Sequence, residues 1–245
     1  MHMMTHGEKV CVFVEQYCLI SEGAQVGQPI KLMKFQKQFI LYVYDNPHGA
    51  SRACRSVARK NGKSALIAAV VLAHLIGPEA KQNSQIISGA RSRDQASLVF
   101  KLAEKMVRLS PELSKIVRIV PSQKMLIGLI CNVEYKAISA ESGTAHGYSF
   151  SLAILDEVGQ ACGPHDAFIE AIETAQRAHE DPLLTAISTQ ATTDGDLFSI
   201  WLDDVAHAKD QRIISHLYTA PKDCQILDKK AWRVANPALA TFRLL

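Results

Sequence analysis

The sequence has no Cys-x-x-Cys pair, although it carries six cysteines, at positions 11, 18, 54, 131, 162 and 224. Their scatter among mostly apolar neighbours argues against a zinc site and for reduced thiols rather than disulfides. The nine histidines likewise fall at no metal-ligand spacing. No uninterrupted apolar run reaches the ~18 residues of a membrane span, and Glu8, Lys9 and Glu15 interrupt the N-terminal apolar stretch, so neither a membrane segment nor a signal peptide is expected. Net charge is only +3, too little by itself to announce nucleic-acid binding. Internal repeats and low-complexity stretches are absent as well. What remains is a chain of 245 residues with 48% apolar content, enough for one substantial core.

The small positive charge is not spread evenly. Between Ser51 and Ser64 stand Arg52, Arg55, Arg59, Lys60 and Lys63, with no acid among them. The stretch ends in Asn61-Gly62-Lys63-Ser64 and runs directly into Ala65-Leu66-Ile67-Ala68-Ala69-Val70-Val71-Leu72. A Gly-Lys-Ser at the mouth of an apolar helix aims backbone N–H groups, a helix N-terminus and an ammonium at nucleotide phosphates. One feature departs from the usual phosphate loop: the place five residues before Gly62 holds Val57, not glycine. A basic turn capping a core helix is the alternative reading.

Hydrophobic periodicity orders the rest. Helices are expected at Glu8–Ile20, Leu32–Tyr42, Lys63–Ile76, Arg93–Leu109, Pro164–His179, Leu197–Ala208 and Lys229–Ala235, with Pro111 breaking the fourth. Strands are expected at Arg52–Val57, Gln85–Ala90, Phe150–Glu157 (an apolar run ending in two acids), Leu183–Ile187 and Arg212–Tyr218. Three further short runs, Ile116–Val120, Met125–Ile130 and Val133–Ile138, read as antiparallel or edge strands, and Glu141–Gly147 as a small-residue loop. Strands alternating with helices imply an α/β fold with a mostly parallel sheet covered on both faces and additional antiparallel edge strands. With the Gly62-Lys63-Ser64 loop it is expected to be a P-loop NTPase three-layer sandwich of the ASCE/RecA-like kind.

In such a sheet, ligands bind at the carboxyl ends of the strands. Three strands end in groups that suit one reaction. After the first comes the phosphate loop, where Lys63 would neutralise β- and γ-phosphates and the Ser64 hydroxyl would bind Mg²⁺. Another ends in Asp156, suited to a Mg²⁺-bound water, and Glu157, suited to polarise the attacking water as general base. A third ends in Ser188-Thr189-Gln190, side chains able to sense a γ-phosphate. An Asp-Glu pair after a buried strand also serves as a helix N-cap, and Ser-Thr-Gln also makes an ordinary turn. Taken together and in this order, the three point to a Mg-dependent NTPase. The chain has no Asn-Lys-x-Asp guanine reader, and a Glu beside the Asp suits ATP.

These residues resemble those of tailed-phage terminase large subunits of the HK97-like type. The resemblance is carried by Ala58-Arg59-Lys60-Asn61-Gly62-Lys63-Ser64, Ser92-Arg93-Asp94-Gln95-Ala96, Thr144-Ala145-His146-Gly147, Leu155-Asp156-Glu157, Ser188-Thr189-Gln190-Ala191 and Trp232-Arg233-Val234-Ala235-Asn236-Pro237. It implies an ATP-driven motor that packages double-stranded viral DNA into a procapsid from the host cytoplasm. Such a motor docks on a portal protein, works with a small terminase subunit and assembles as a homo-oligomeric ring. By position, Arg59, Lys60, Asn61, Gly62, Lys63 and Ser64 would bind ATP, with Arg59 reaching the γ-phosphate in cis. Gln36, in Phe35-Gln36, would recognise adenine, and Ser188, Thr189 and Gln190 would couple hydrolysis to movement. Where some related motors carry a trans-acting arginine this chain has His146, and Arg91 and Arg93 are weaker candidates for that role.

The resemblance further implies that residues 1–222 form the ATPase domain, including helices within 8–45, and that 223–245 begin a linker. The nuclease of full-length members would lie beyond this chain. Two rivals stand beside this reading: a helicase-like nucleic-acid-stimulated ATPase, and a non-catalytic nucleotide-binding assembly module. DNA contact is expected to be non-specific and salt-sensitive, because no base-reading motif is present.

Overall fold

The computed structural model describes residues 3–140, 149–177, 179–207, 210–221 and 223–239. The loop at 141–147 and His146 lie outside them. Among the described residues the element order is α1 (His6–Tyr17), α2 (Lys34–Tyr44), β1 (Arg52–Ser56), α3 (Lys63–Ile76), β2 (Gln85–Ala90), α4 (Arg93–Leu109) and α5 (Pro111–Ile116). There follow β3 (Val117–Val120), β4 (Met125–Gly128), β5 (Val133–Ser139), β6 (Phe150–Asp156), α6 (Ala167–Gln176), β7 (Leu183–Ser188), α7 (Leu197–His207), β8 (Ile213–Leu217) and α8 (Lys229–Ala235).

Local chemistry sets most of these boundaries. Thr5 and Glu8 close a reciprocal capping box at the start of α1. Ser92 caps α4, Asp166 caps α6 and Asp228 caps α8, each accepting backbone N–H groups of the first turn. Asp166 is why α6 begins at Ala167 rather than at the expected Pro164. Pro111 does end α4, but it also opens α5 from the first helical position, where its missing N–H costs nothing, with Ser110 as the cap. The expected strand start at Ile116 is therefore the last residue of a short helix.

Among the described residues eight strands form one sheet, in the order β3-β4-β5-β2-β6-β7-β1-β8. From β5 through β8 all neighbours are parallel, and the β3–β4 and β4–β5 pairs are antiparallel. This is the expected α/β sandwich with one correction: β5 is a full member of the parallel sheet, paired with β2 from Gln85–Glu134 to Ala90–Ser139. Successive residues of a strand point to opposite faces, and the two cores divide accordingly. Ala53, Ile86, Leu152 and Ile154 join the side covered by α1 to α5. Cys54, Ile87, Ala153 and Leu155 join the side covered by α6 and α7. Helix α3 is apolar nearly all round, so it is sandwiched between the sheet and the other helices. Ile67, Leu72 and Leu75 are fully buried there, and truncating any one of them to Ala costs about 2–5 kcal/mol.

Candidate functional site

Strand order brings the three candidate tips side by side. Strand β7 lies between β6 and β1, so the Ser188 tip separates the Asp156–Glu157 tip from the phosphate loop. The seam is closed by backbone hydrogen bonds: Val57 N–H donates to Ser188 O at 3.1 Å, and Glu157 N–H donates to Ile187 O at 2.8 Å.

The phosphate loop turns through left-handed backbone at Lys60 (φ 63°) and Gly62 (φ 70°), and Gly62 is the N-cap of α3. Val57, standing where a glycine is usual, is buried. Lys63 is buried too and turns back on its own loop, its Nζ donating to Val57 O at 2.9 Å and to Ala58 O at 3.4 Å. Burial pushes the Lys63 ammonium below the usual lysine range, and the nearby Glu157 and Asp156 carboxylates pull it back up. Ser64 is half-buried at the first turn of α3, and Arg59 and Lys60 are exposed on the loop.

Asn61 has a structural task. Its buried amide donates to Ala58 O (3.1 Å), Arg59 O (3.3 Å) and Asn236 Oδ1 (3.3 Å), and its Oδ1 accepts the Ala238 N–H at 3.0 Å. Gln36 is likewise engaged: it is buried, and its Oε1 accepts the Met33 N–H at 2.9 Å, capping α2.

On β6, Asp156 is buried and its Oδ1 has no hydrogen-bond partner among the described residues. Burial and the neighbouring Glu157 raise its carboxyl to about 6, with Lys63 opposing. Glu157 sits in left-handed backbone (φ 56°, ψ 41°). Its Oε2 accepts long hydrogen bonds from Ser188 Oγ and Thr189 Oγ1, both 3.4 Å. Ser188 Oγ also accepts the Gly159 N–H at 2.8 Å. Gln190 is exposed beyond them. The arrangement holds an ammonium, a buried carboxyl with a free oxygen and a second, hydroxyl-held carboxylate around one loop, which suits a polyphosphate and a hard cation.

Sequence reasoning missed three features beside this site. Arg55, in β1, has a fully buried guanidinium packed 4.9 Å from the Phe35 ring centroid and 5.1 Å from that of Phe39. The available signal was Arg55 following Ala53-Cys54 in a short strand expected to lie inside the sheet. The Asn61–Asn236 bond and the bonds from Arg91 and Gln95 to Gln160 had no such signal, because their partners are distant in the chain.

Residues 34–207 match the family described as terminase large subunit, ATPase domain. Over 240 residues, 98% of this chain, the sequence is 61% identical to the terminase large subunit of Enterobacteria phage HK97 and covers 48% of it. The crystal structure of the HK97 bacteriophage large terminase matches with a TM-score of 0.93 at 60% identity, over 98% of this chain and 49% of that one. At the level of fold alone, the large terminase of a thermophilic bacteriophage, solved in complex with ADP, matches with a TM-score of 0.57 at 12% identity. That match takes in 77% of this chain and 46% of the other. The chain thus spans about half the length of the HK97 protein. Because the matched residues include the phosphate loop and both polar strand tips, and make up more than half of the sequence, the chain belongs to the terminase large subunit ATPase domain family.

Proposed function

We propose that this chain is the ATP-hydrolysing part of a motor that drives double-stranded viral DNA into a procapsid. The observation that carries the reading is the convergence of Lys63, Asp156 and Glu157 at the tips of the two strands that flank β7, joined across it by the Val57–Ser188 and Glu157–Ile187 backbone bonds. The buried Oδ1 of Asp156, without a hydrogen-bond partner among the described residues, fits a divalent cation, and that carboxyl with the Ser64 hydroxyl would hold Mg²⁺. When bound, Mg²⁺ supplies charge neutralisation at the phosphate oxygens.

The protein's own groups do the rest. Lys63 exchanges its bonds to the Val57 and Ala58 carbonyls for the β- and γ-phosphates. Glu157 orients a water and takes its proton as the water oxygen bonds to the γ-phosphorus. The bond from that phosphorus to the bridging oxygen breaks, giving ADP and phosphate. Ser188 and Thr189 hold Glu157 by its Oε2, which suits them, with Gln190, to pass the change of charge on to β7. Arg59, exposed on the loop, is placed for the γ-phosphate in cis, with Lys60 beside it. Asn61 and Gly62 shape the loop, and Gln36, its Oε1 engaged, keeps its NH₂ for the adenine.

On this reading residues 1–222 are the motor domain and 223–245 the start of a linker, and a nuclease occupies the half of the HK97-like chain not present here. The partners are a portal protein, a small terminase subunit and further copies of this chain in a ring, met in the host cytoplasm. DNA is held through its backbone, salt-dependently. The test is Glu157→Gln in the full-length protein. ATP hydrolysis is expected to fall by about a hundredfold or more with ADP affinity retained. A variant that hydrolyses ATP at the wild-type rate overturns the assignment.

A further inference from the structure

Glu157 is a non-glycine residue in left-handed backbone, a conformation that persists only where its surroundings over-determine it. The surroundings are supplied from both flanks of β6, which lies between β2 and β7. From the β7 side, Ile187 O accepts the Glu157 N–H at 2.8 Å and Ser188 Oγ accepts the Gly159 N–H at 2.8 Å. From the β2 side the contacts converge on Gln160. Arg91, the first residue after β2, donates from Nη1 to Gln160 O at 2.9 Å, and Gln95, in the first turn of α4, donates from Nε2 to Gln160 Oε1 at 3.0 Å. Gln160 in turn donates its N–H to Glu157 O at 3.0 Å and closes the turn. Gln95 is itself fixed, its N–H donating to the Ser92 cap at 3.3 Å.

We propose that Arg91 and Gln95 are positioning residues for the Glu157 carboxylate, acting within one subunit through Gln160. The inference rests on the reading of Glu157 as general base and deepens it. Arg91 then serves its own active site instead of reaching a neighbouring subunit's triphosphate. Arg91 is exposed and Gln95 half-buried, so their bonds compete with water. Their loss releases the turn without unfolding the sheet.

Two measurements on the full-length protein test this. The first is amide exchange of the peptide 155–161 in the wild type and in Arg91→Ala and Gln95→Ala. Exchange of the Gly159 and Gln160 amides is expected to rise about tenfold in both variants, and unchanged exchange overturns the clamp. The second is steady-state ATPase kinetics. In both variants kcat is expected to fall about three- to tenfold with KM for ATP and ADP affinity within about twofold. Gln160→Ala is expected to match Gln95→Ala, and the double variant to be no worse than either. Arg91→Lys, which can still reach the Gln160 carbonyl, is expected to recover most of the loss. A KM effect with kcat intact overturns the positioning role. So does recovery of activity on mixing Arg91→Ala with Glu157→Gln subunits, the result expected of an arginine acting between subunits. If instead Glu157→Gln alone leaves the rate unchanged, it is the assignment of the base that falls, while the exchange measurement still decides the clamp.

Discussion

The Asn61 amide in the phosphate loop donates to the Asn236 side chain beyond the last helix, at 3.3 Å, and accepts the Ala238 N–H at 3.0 Å. The same amide holds the Ala58 and Arg59 carbonyls, and Ala58 O also receives Lys63. One asparagine therefore ties the lysine's resting place to the segment 236–238. Asn61→Ala leaves a buried backbone N–H unpaired, which costs about 1–3 kcal/mol. Asn61→Asp keeps the acceptor but turns a carboxylate toward three oxygens, and is expected to cost at least as much. Both variants should show faster amide exchange at Ala238. Protection at the wild-type level would mean that other contacts hold the segment.

Gly159 makes the contact between the β6 turn and the β7 tip possible. A Cβ added there would meet Thr189 O at 2.6 Å and Ser188 Oγ at 2.7 Å, both closer than side-chain carbons approach. Gly159→Ala must push the two tips apart. A loss of about 1–3 kcal/mol is expected from that overpacking, read as a lower midpoint of chemical denaturation. An unchanged midpoint would show that the tips have slack.

How far the sequence foretold this site depends on the range of the contact. The phosphate loop was legible because Gly62-Lys63-Ser64 and the apolar helix after it are contiguous, and α3, β2 and α4 fall where periodicity places them. Asp156 and Glu157 were legible because the apolar run Leu152–Leu155 leads directly into them. Strand β5 misled because its buried and open positions alternate through Val133, Tyr135 and Ala137, the pattern of a strand covered by helices on one face, which parallel and antiparallel strands share. In the sequence Pro111 signals a stop because the rule for helix interiors is stronger than the rule for first turns. Gln95 with Gln160, and Asn61 with Asn236, are pairs created by topology, so no local pattern announces them.

Arg55 is a cation buried among rings. Its Nε, Nη1 and Nη2 have no hydrogen-bond partner among the described residues, and burial lowers the guanidinium to about 10. The faces of Phe35 and Phe39 return about 2 kcal/mol at best, against an effective desolvation penalty of several kcal/mol for an ion. Arg55→Met keeps the length and removes the charge, so it is expected to raise stability by about 1–3 kcal/mol. Arg55→Lys keeps the charge and loses the planar stacking surface, and is expected to lower it. Thermal unfolding of the three proteins checks the order, and a Met variant less stable than wild type would require a partner that these rings do not supply.

His74 makes the fold sensitive to acid. It is buried on α3 with its Nε2 2.8 Å from the Tyr44 hydroxyl, and burial, aided by Lys81, lowers its pKa from 6.5 to about 3. Between those two values the unfolded chain binds a proton that the folded chain refuses. Stability from this group is therefore complete above about pH 6.5 and is lost on acidification, at about 1 kcal/mol per pH unit. Carboxylates titrate in the same range, Asp156 among them, so the quantity to measure is the difference between wild type and His74→Gln, in which a neutral amide can still accept from Tyr44. Denaturation at pH 7, 6 and 5 should show the wild type losing stability faster than the variant, because only the wild type has an imidazole that must stay neutral to remain inside. Parallel losses would mean that the imidazole is protonated without leaving the core, and that a water or the Tyr44 oxygen stabilises the charge in place.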